Sequence, residues 1–268
     1  MSRKSFMWAS FILLLASCLP AAETGKAISD NSFLIEEAYN QETRVVQHIF
    51  TFQRDFQSHD WFASFTQEWP AFGPLHQLSY TLGLAWAHEA QPGLAAGPFF
   101  LNYRYQLVFN EHVAVSPRLS MVIPGHRVDG LTTGLGWQAN LPASLTLGRS
   151  FVCHLNLGGT WFPAADNGER KLPLLQFNYG ASAIYLLSDT FNLMLEAAGT
   201  RGERLLAAAE SPAGKEWQSD FFLNPGARLA FNFQSGLQVV CGLALPLEVV
   251  NARWHAGAFL YLSIEHSY

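Results

Sequence analysis

Six ionisable residues, Glu68, Arg104, Arg118, Glu196, Arg228 and Glu265, fall in the polar register of stretches whose alternate residues are apolar. Three carboxylates and three guanidinium groups facing one enclosed space could pair there. Ionisable groups inside a membrane protein either close the interior through salt bridges or form a constriction that selects solutes. His154 and Asn156 share one face of another such stretch. With a serine they would form the Ser/His/Asn arrangement of a membrane-embedded lipid hydrolase. No serine has a motif around it, so hydrogen bonding within the interior is the better account, and no catalytic residue is assigned. His48, His76 and His255 are scattered, and no Cys or His spacing points to a metal or a cofactor. Asp129, Asp166 and Glu169 lie between the alternating stretches and read as solvated charges.

The elements that would position these groups are strands. Leu78, Tyr80, Leu82, Leu84 and Trp86 alternate with Gln77, Ser79, Thr81, Gly83 and Ala85, which is the period of a sheet with one apolar face and one polar face. The same period predicts strands at Val45–Gln53, Trp61–Trp69, Leu78–Trp86, Phe99–Leu107, Val113–Ile123 and Leu131–Leu141. It continues at Phe151–Trp161, Gln176–Leu187, Phe191–Thr200, Phe221–Phe233, Leu237–Leu245 and Trp254–Ile264. Tight turns at Asn110-Glu111, Gly148–Ser150, Ser188–Thr190 and Gln234–Gly236 alternate with longer links at Ala87–Gly97, Pro124–Gly130, Pro163–Lys171 and Arg201–Asp220. Short turns at one rim and loops at the other, with both ends on the turn side, are the arrangement of bacterial outer-membrane barrels. Pro117, Pro142 and Pro225 fall inside strands, where each removes a ladder donor, so bulges are expected there. The link Arg54–Asp60 is short for an outer loop.

Alternation alone does not say which face meets water. Composition does. Only 14% of the 268 residues are charged, against roughly 25% in a soluble domain. The four lysines, at 4, 26, 171 and 215, all lie outside the expected strands. The polar register is Asn, Gln, Ser, Thr and Gly, whereas the apolar register carries no formal charge and places Trp, Tyr and Phe near strand ends. One mid-bilayer charge on that face would cost about 2–4 kcal/mol. These features predict an all-β fold, a closed antiparallel transmembrane β-barrel of about twelve strands over residues 44–268, with lipid against the apolar face.

Residues 1–22 read as a secretory signal: Arg3 and Lys4, an apolar run from Phe6 to Ala16, then small residues at Ala21 and Ala22. Leu15-Ala16-Ser17-Cys18 resembles a lipoprotein box, although ordinary cleavage near Ala22 is the simpler reading. Residues 23–43 are polar and acidic and read as an N-terminal extension tucked into the periplasmic mouth. Cys153 and Cys241 fall in the apolar register and behave as small hydrophobes. Tyr268, with Ile264, Leu262 and Leu260 in phase, resembles the C-terminal pattern that barrel assembly machinery recognises, His266 being the departure from it. Net charge is −5 with no basic patch, which excludes a nucleic-acid partner.

Several stretches resemble an outer-membrane transporter family linked to the meta-cleavage pathway of phenol degradation. They are residues 30–42 (Asp-Asn-Ser-Phe-Leu-Ile-Glu-Glu-Ala-Tyr-Asn-Gln-Glu), Gln67-Glu68-Trp69-Pro70, His76-Gln77-Leu78-Ser79-Tyr80, Pro225-Gly226-Ala227-Arg228 and Tyr261-Leu262-Ser263-Ile264-Glu265-His266. The resemblance implies a β-barrel and uptake of hydrophobic or aromatic compounds, and carries over no catalytic residue. The polar register also holds Val122, Val152, Ile184, Leu186, Met194, Phe222, Val240 and Phe259, a mixed lining suited to an amphipathic or aromatic solute and equally to a packed interior. The expectation is therefore a channel in the outer membrane of a Gram-negative-type bacterium, passing small hydrophobic or aromatic solutes passively, with membrane lipids as its surroundings. The alternatives are a structural or adhesive barrel without a conducting pore, and a membrane-embedded lipid hydrolase.

Overall fold

The computed structural model describes residues 28, 32–88, 93–125, 131–207, 214–250 and 253–268. The expected leader with Cys18, and Asp129, lie outside the described residues. Every alternating stretch contributes a strand, although the one expected over Leu131–Leu141 starts only at Gly136. In chain order these are β1 (Val45–Asp55), β2 (Trp61–Pro70), β3 (His76–Ala87) and β4 (Gly93–Tyr105, resumed at Val108–Phe109). Then come β5 (Val113–Val115 and Arg118–Ile123), β6 (Gly136–Leu147), β7 (Phe151–Asp166) and β8 (Lys171–Ser188). The last four are β9 (Phe191–Leu205), β10 (Lys215–Asn232), β11 (Gln238–Ala244 and Leu247–Val250) and β12 (Arg253–Ser267). Each pairs antiparallel with the next, and β12 returns to β1 from Val45 opposite Ser267 to Asp55 opposite Gly257. The described residues thus form a closed barrel of twelve strands. Tyr268 N donates to Arg44 O across the same seam at 3.0 Å.

Closure sorts the two registers as composition required. Leu82, Leu101, Leu119, Leu141, Leu157 and Leu195 face outward and are exposed, whereas Gln77, Asn102, Ser120, Asn140, Asn192 and Asn224 are buried inside. A soluble barrel would show the reverse. This apolar outer belt is the physical reason that the chain folds in lipid.

Two expectations are corrected. Pro142 and Pro225 carry no bulge: Asn156 pairs with Pro142 and Leu195 with Pro225 in unbroken register. Their missing donors fall where the neighbouring strand is itself interrupted, at Ser116-Pro117 opposite Pro142 and at Leu245-Pro246 opposite Pro225. At Pro117 the additional residue sits on the neighbouring strand, since Tyr105 bonds Pro117 while Val108 pairs with Val115. Bulges appear instead beside Pro98, where Leu82–Phe99 is followed by Leu84–Ala96, and beside Pro163, where Leu172–Ala165 is followed by Leu174–Phe162. Second, strands run on through much of the expected loops, so that Lys171 and Lys215 begin β8 and β10. Three links shrink, to residues 88–92, 167–170 and 206–214, whereas the one expected at Pro124–Gly130 lengthens to residues 124–135. Above the membrane both faces meet water, so alternation fades where the hydrogen-bond ladder continues.

The wall is uneven in height. β1 and β2 have 11 and 10 residues, about the length needed to span, whereas β8 and β10 have 18 each. The His266 departure has a partner: its Nε2 lies 3.2 Å from Nε2 of His48, with the rings stacked, across the β1–β12 seam. Cys153 and Cys241 are free, on the non-adjacent strands β7 and β11.

Candidate functional site

An extended segment inside a barrel cannot join the ladder, so its amides and carbonyls need other partners. Residues 32–41 are such a segment, a strap crossing the lumen at the end carrying the short turns. The polar register supplies its partners. Leu34 N and Ile35 N donate to Glu196 Oε1 at 2.8 and 3.1 Å, Glu36 N to Asn156 Oδ1 at 2.9 Å, and Ala38 N to Ser144 Oγ at 2.8 Å. Asn40 N and Gln41 N donate to Gln106 Oε1 and Gln77 Oε1 at 3.0 and 2.7 Å. The strap carbonyls are met too. Arg104 donates to Glu37 O and Tyr39 O at 3.0 and 2.5 Å, and Gln106 Nε2 and Ser116 Oγ both donate to Ala38 O at 2.8 Å.

Side chains lock the strap further. Phe33 is buried against Phe259 and Tyr261, with ring centroids 5.4 and 5.5 Å apart. Gly226 and Gly242 make its space, since a Cβ at either position would overlap the Phe33 ring. Ser32 Oγ bonds Ser182 Oγ at 2.7 Å, and Gln41 bonds Gln47. Burial is the largest influence on the Tyr39 phenol and raises its pKa, so the ring is neutral where its edge meets His154.

The six lumen candidates divide. Glu68, Arg104 and Arg118 converge, joined by Glu36 of the strap, a residue of the expected polar extension. The Glu36 carboxylate takes Arg104 Nη1 on Oε1 at 3.2 Å and Arg118 Nη1 on Oε2 at 3.3 Å, while Asn140 Nδ2 donates to Oε2 at 3.0 Å. Glu68 Oε2 lies 3.9 Å from Arg104 and accepts from Gln77 at 2.7 Å. Glu196 stands apart on β9, its carboxylate shared by the strap amides and by Asn224 Nδ2 at 2.7 Å. Arg228 lines a separate cavity of about 180 Å³ below the strap, with Glu37, His154 and Asp189. Glu265 lies near the turn-side end of β12, opposite Gln47 and Gln238. The signal for Glu36 was its place in an acidic run, which gave no hint of depth.

His154 does meet a serine, though not through Asn156: Ser144 Oγ lies 2.7 Å from its Nδ1. That oxygen already accepts the Ala38 amide, both side chains are buried, and Asn156 is engaged with Glu36. The pair anchors the strap. No group of three or more metal-binding side chains occurs among the described residues.

Above the strap lies a cavity of about 400 Å³ lined by Thr51, Ser64, Thr66, Thr81, Asn102 and Asn140, with Glu36 and Arg118 at its base. A second, of about 480 Å³, continues toward the outer mouth past Thr160, Gln176, Thr200 and Gln218. The two share Gln138 and Asn178. Cross-strand hydrogen bonds order this lining, among them Thr51–Ser64 at 2.6 Å, Thr66–Thr81 at 2.8 Å and Gln138–Thr160 at 2.9 Å. Most of the apolar lumen residues are spent on packing. Val152, Ile184, Leu186, Met194, Val240 and Phe259 cluster with strap Phe33 and Leu34 and with Ile28, and Val122 clusters with Phe162 and Leu174.

This geometry defines a transmembrane β-barrel with a polar, partly filled lumen. No protein-family model and no curated protein matches the sequence. Among solved structures, an outer membrane channel from Pseudomonas putida F1 matches with a TM-score of 0.59 at 10% identity, covering 86% of this chain and 98% of that one. The NanC porin matches at TM-score 0.53 and 8% identity, covering 81% of this chain and 98% of its own. The KdgM porin, solved in complex with disordered oligogalacturonate, matches at 0.50 and 9%, covering 84% and 99%. The chain has the fold of outer-membrane channels and porins.

Proposed function

We propose that this protein is a passive outer-membrane channel for small, hydrogen-bonding solutes, narrowed at its periplasmic end by its own N-terminal strap. The observation that carries the reading is the amide- and hydroxyl-lined path of two adjoining cavities leading from the outer mouth to Glu36 and Arg118. Such a lining exchanges hydrogen bonds with a hydroxylated solute at little net cost. The leader is removed near Ala22, residues 32–41 supply the strap, and β12, with Ile264, Leu262 and Leu260 in phase, addresses the chain to the assembly machinery.

Hydrophobic or aromatic solutes, and with them a link to phenol degradation, form the second reading. It is favoured by Phe62, Phe259, Tyr261 and Ile49 on one side of the inner cavity. Against it, most of the apolar lumen residues pack the strap instead of lining the path. A structural or adhesive barrel remains the competing class, and the engaged, buried Ser144–His154 pair argues against a hydrolase.

The test is conductance in planar bilayers, with the full chain and with residues 32–41 removed. A channel gives discrete current steps that grow when the strap is absent. Folded protein that passes no current in either form would overturn the proposal. Solute entry into liposomes, with glucose set against phenol, then separates the two solute readings.

A further inference from the structure

Glu36 occupies a place built for a carboxylate. Two guanidinium groups from adjacent strands, Arg104 and Arg118, each meet a different oxygen of it, and Asn140 adds a donor to Oε2. Arg104 and Arg118 stand directly opposite one another on β4 and β5. Paired arginines of this kind grip a carboxylate with both charge and geometry. Yet the residue they hold belongs to the strap, and its backbone is already secured independently, through Glu36 N and Glu36 O to the Asn156 amide. The carboxylate could therefore swing aside while the strap stays in place.

Three further observations point the site toward a ligand. The group faces the inner cavity, with Glu36, Arg118 and Asn140 all in its lining. Arg118 is the more accessible arginine, its side chain 21% exposed against 2% for Arg104. Beside it, Thr66, Thr81 and Asn102 add hydroxyl and amide groups to the same lining. Asn102 and Ser120 are themselves directly paired, one residue pair along from Tyr103–Leu119 and two from Arg104–Arg118. Hydroxyl and amide groups next to a carboxylate cradle match a carboxylate that carries hydroxyl groups.

We propose that Arg104, Arg118 and Asn140 form a binding site for hydroxylated carboxylates such as sugar acids, and that strap residue Glu36 occupies it as an internal competitor. This rests on the channel reading and names its solute class. A solute reaches Arg118 from the outer mouth and binds only while Glu36 is displaced, so its apparent affinity falls by the fraction of time the site is free.

Isothermal titration of the detergent-solubilised full chain with D-glucuronate, and with D-glucose as the neutral control, tests this. Glu36→Gln should bind glucuronate at least tenfold more tightly than the unaltered protein. Adding Arg118→Gln should remove the gain, and glucose should respond to neither change. If Arg118→Gln does not migrate as a folded barrel on unheated gels, Asn140→Ala in the Glu36→Gln background takes its place and should reduce the gain. Equal glucuronate affinity with and without Glu36, or an equal gain for glucose, would overturn the site. Liposome swelling in the same two sugars reads the channel separately: passage of both without a titration preference removes the carboxylate site and leaves the channel standing.

Discussion

Glu196→Ala should release the upper half of the strap. Its carboxylate is buried and accepts the amides of Leu34 and Ile35, which have no ladder partner. A hydrogen bond to a charged acceptor contributes about 1.5–3 kcal/mol, so losing the two amounts to about 3–6 kcal/mol of strap retention. At tenfold per about 1.4 kcal/mol, release becomes roughly a hundred to ten thousand times more frequent. The anchors farther along, Ser144, Arg104, Gln106 and Gln77, are untouched, so the strap stays tethered at its Gln41 end. The assay is single-channel recording: brief closures and openings to a larger conductance should dominate the Glu196→Ala trace. Glu196→Gln, which keeps neutral acceptors at about 1 kcal/mol each, should fall between the two. A folded Glu196→Ala protein whose openings match those of the unaltered chain in size and frequency would refute the claim that these bonds hold the barrier.

Other outcomes follow from the same geometry. Phe33→Ala empties the space between Gly226 and Gly242 and should weaken the strap by about 3–5 kcal/mol, read as faster protease cleavage within residues 32–41. Leu101→Arg places a charge against lipid and should lower barrel stability by about 2–4 kcal/mol in urea unfolding with lipid vesicles, whereas Thr66→Lys, facing the cavity, should cost far less. A cysteine at Leu82 should react with a bilayer-soluble maleimide and one at Thr81 with a water-soluble one; the opposite pattern would invert the barrel. The unaltered protein should release no fatty acid from phospholipid vesicles, and His154→Ala should change strap mobility only.

Strand number, order and facing were legible because lipid enforces them. An outward register bounded by a charge penalty leaves a periodic trace, as from Leu78 to Trp86, and closure follows from both rims being accounted for. What the trace omitted has equally physical causes. Beyond the membrane the β8 and β10 ladders continue without a uniform apolar face, so their outer ends at Lys171 and Lys215 looked like loop. Bulges depend on how two strands pass each other, so Pro98 and Pro163 could not be told from Pro142 and Pro225. The candidate site was half visible. Arg104, Arg118 and Glu68 stood out as charges in a polar register, but Glu36 lies in a segment with no period, and its depth comes from hydrogen bonds to residues more than a hundred positions away. The apolar lumen residues fit a solute surface and a packed interior equally well as a sequence pattern, because the sequence cannot reveal that Phe33 lies against most of them.

The unequal strands give the mouth a slant. β8 and β10 outrun β1 by seven residues, about 23 Å of chain at about 3.3 Å per residue, so one flank rises as a parapet while the other stays low. For a channel of the proposed kind, a solute that approaches along the membrane plane meets the low sill first and the tall flank behind it as a backstop. Capture from the side, with the parapet turning the visitor downward, is the approach that such an entrance rewards.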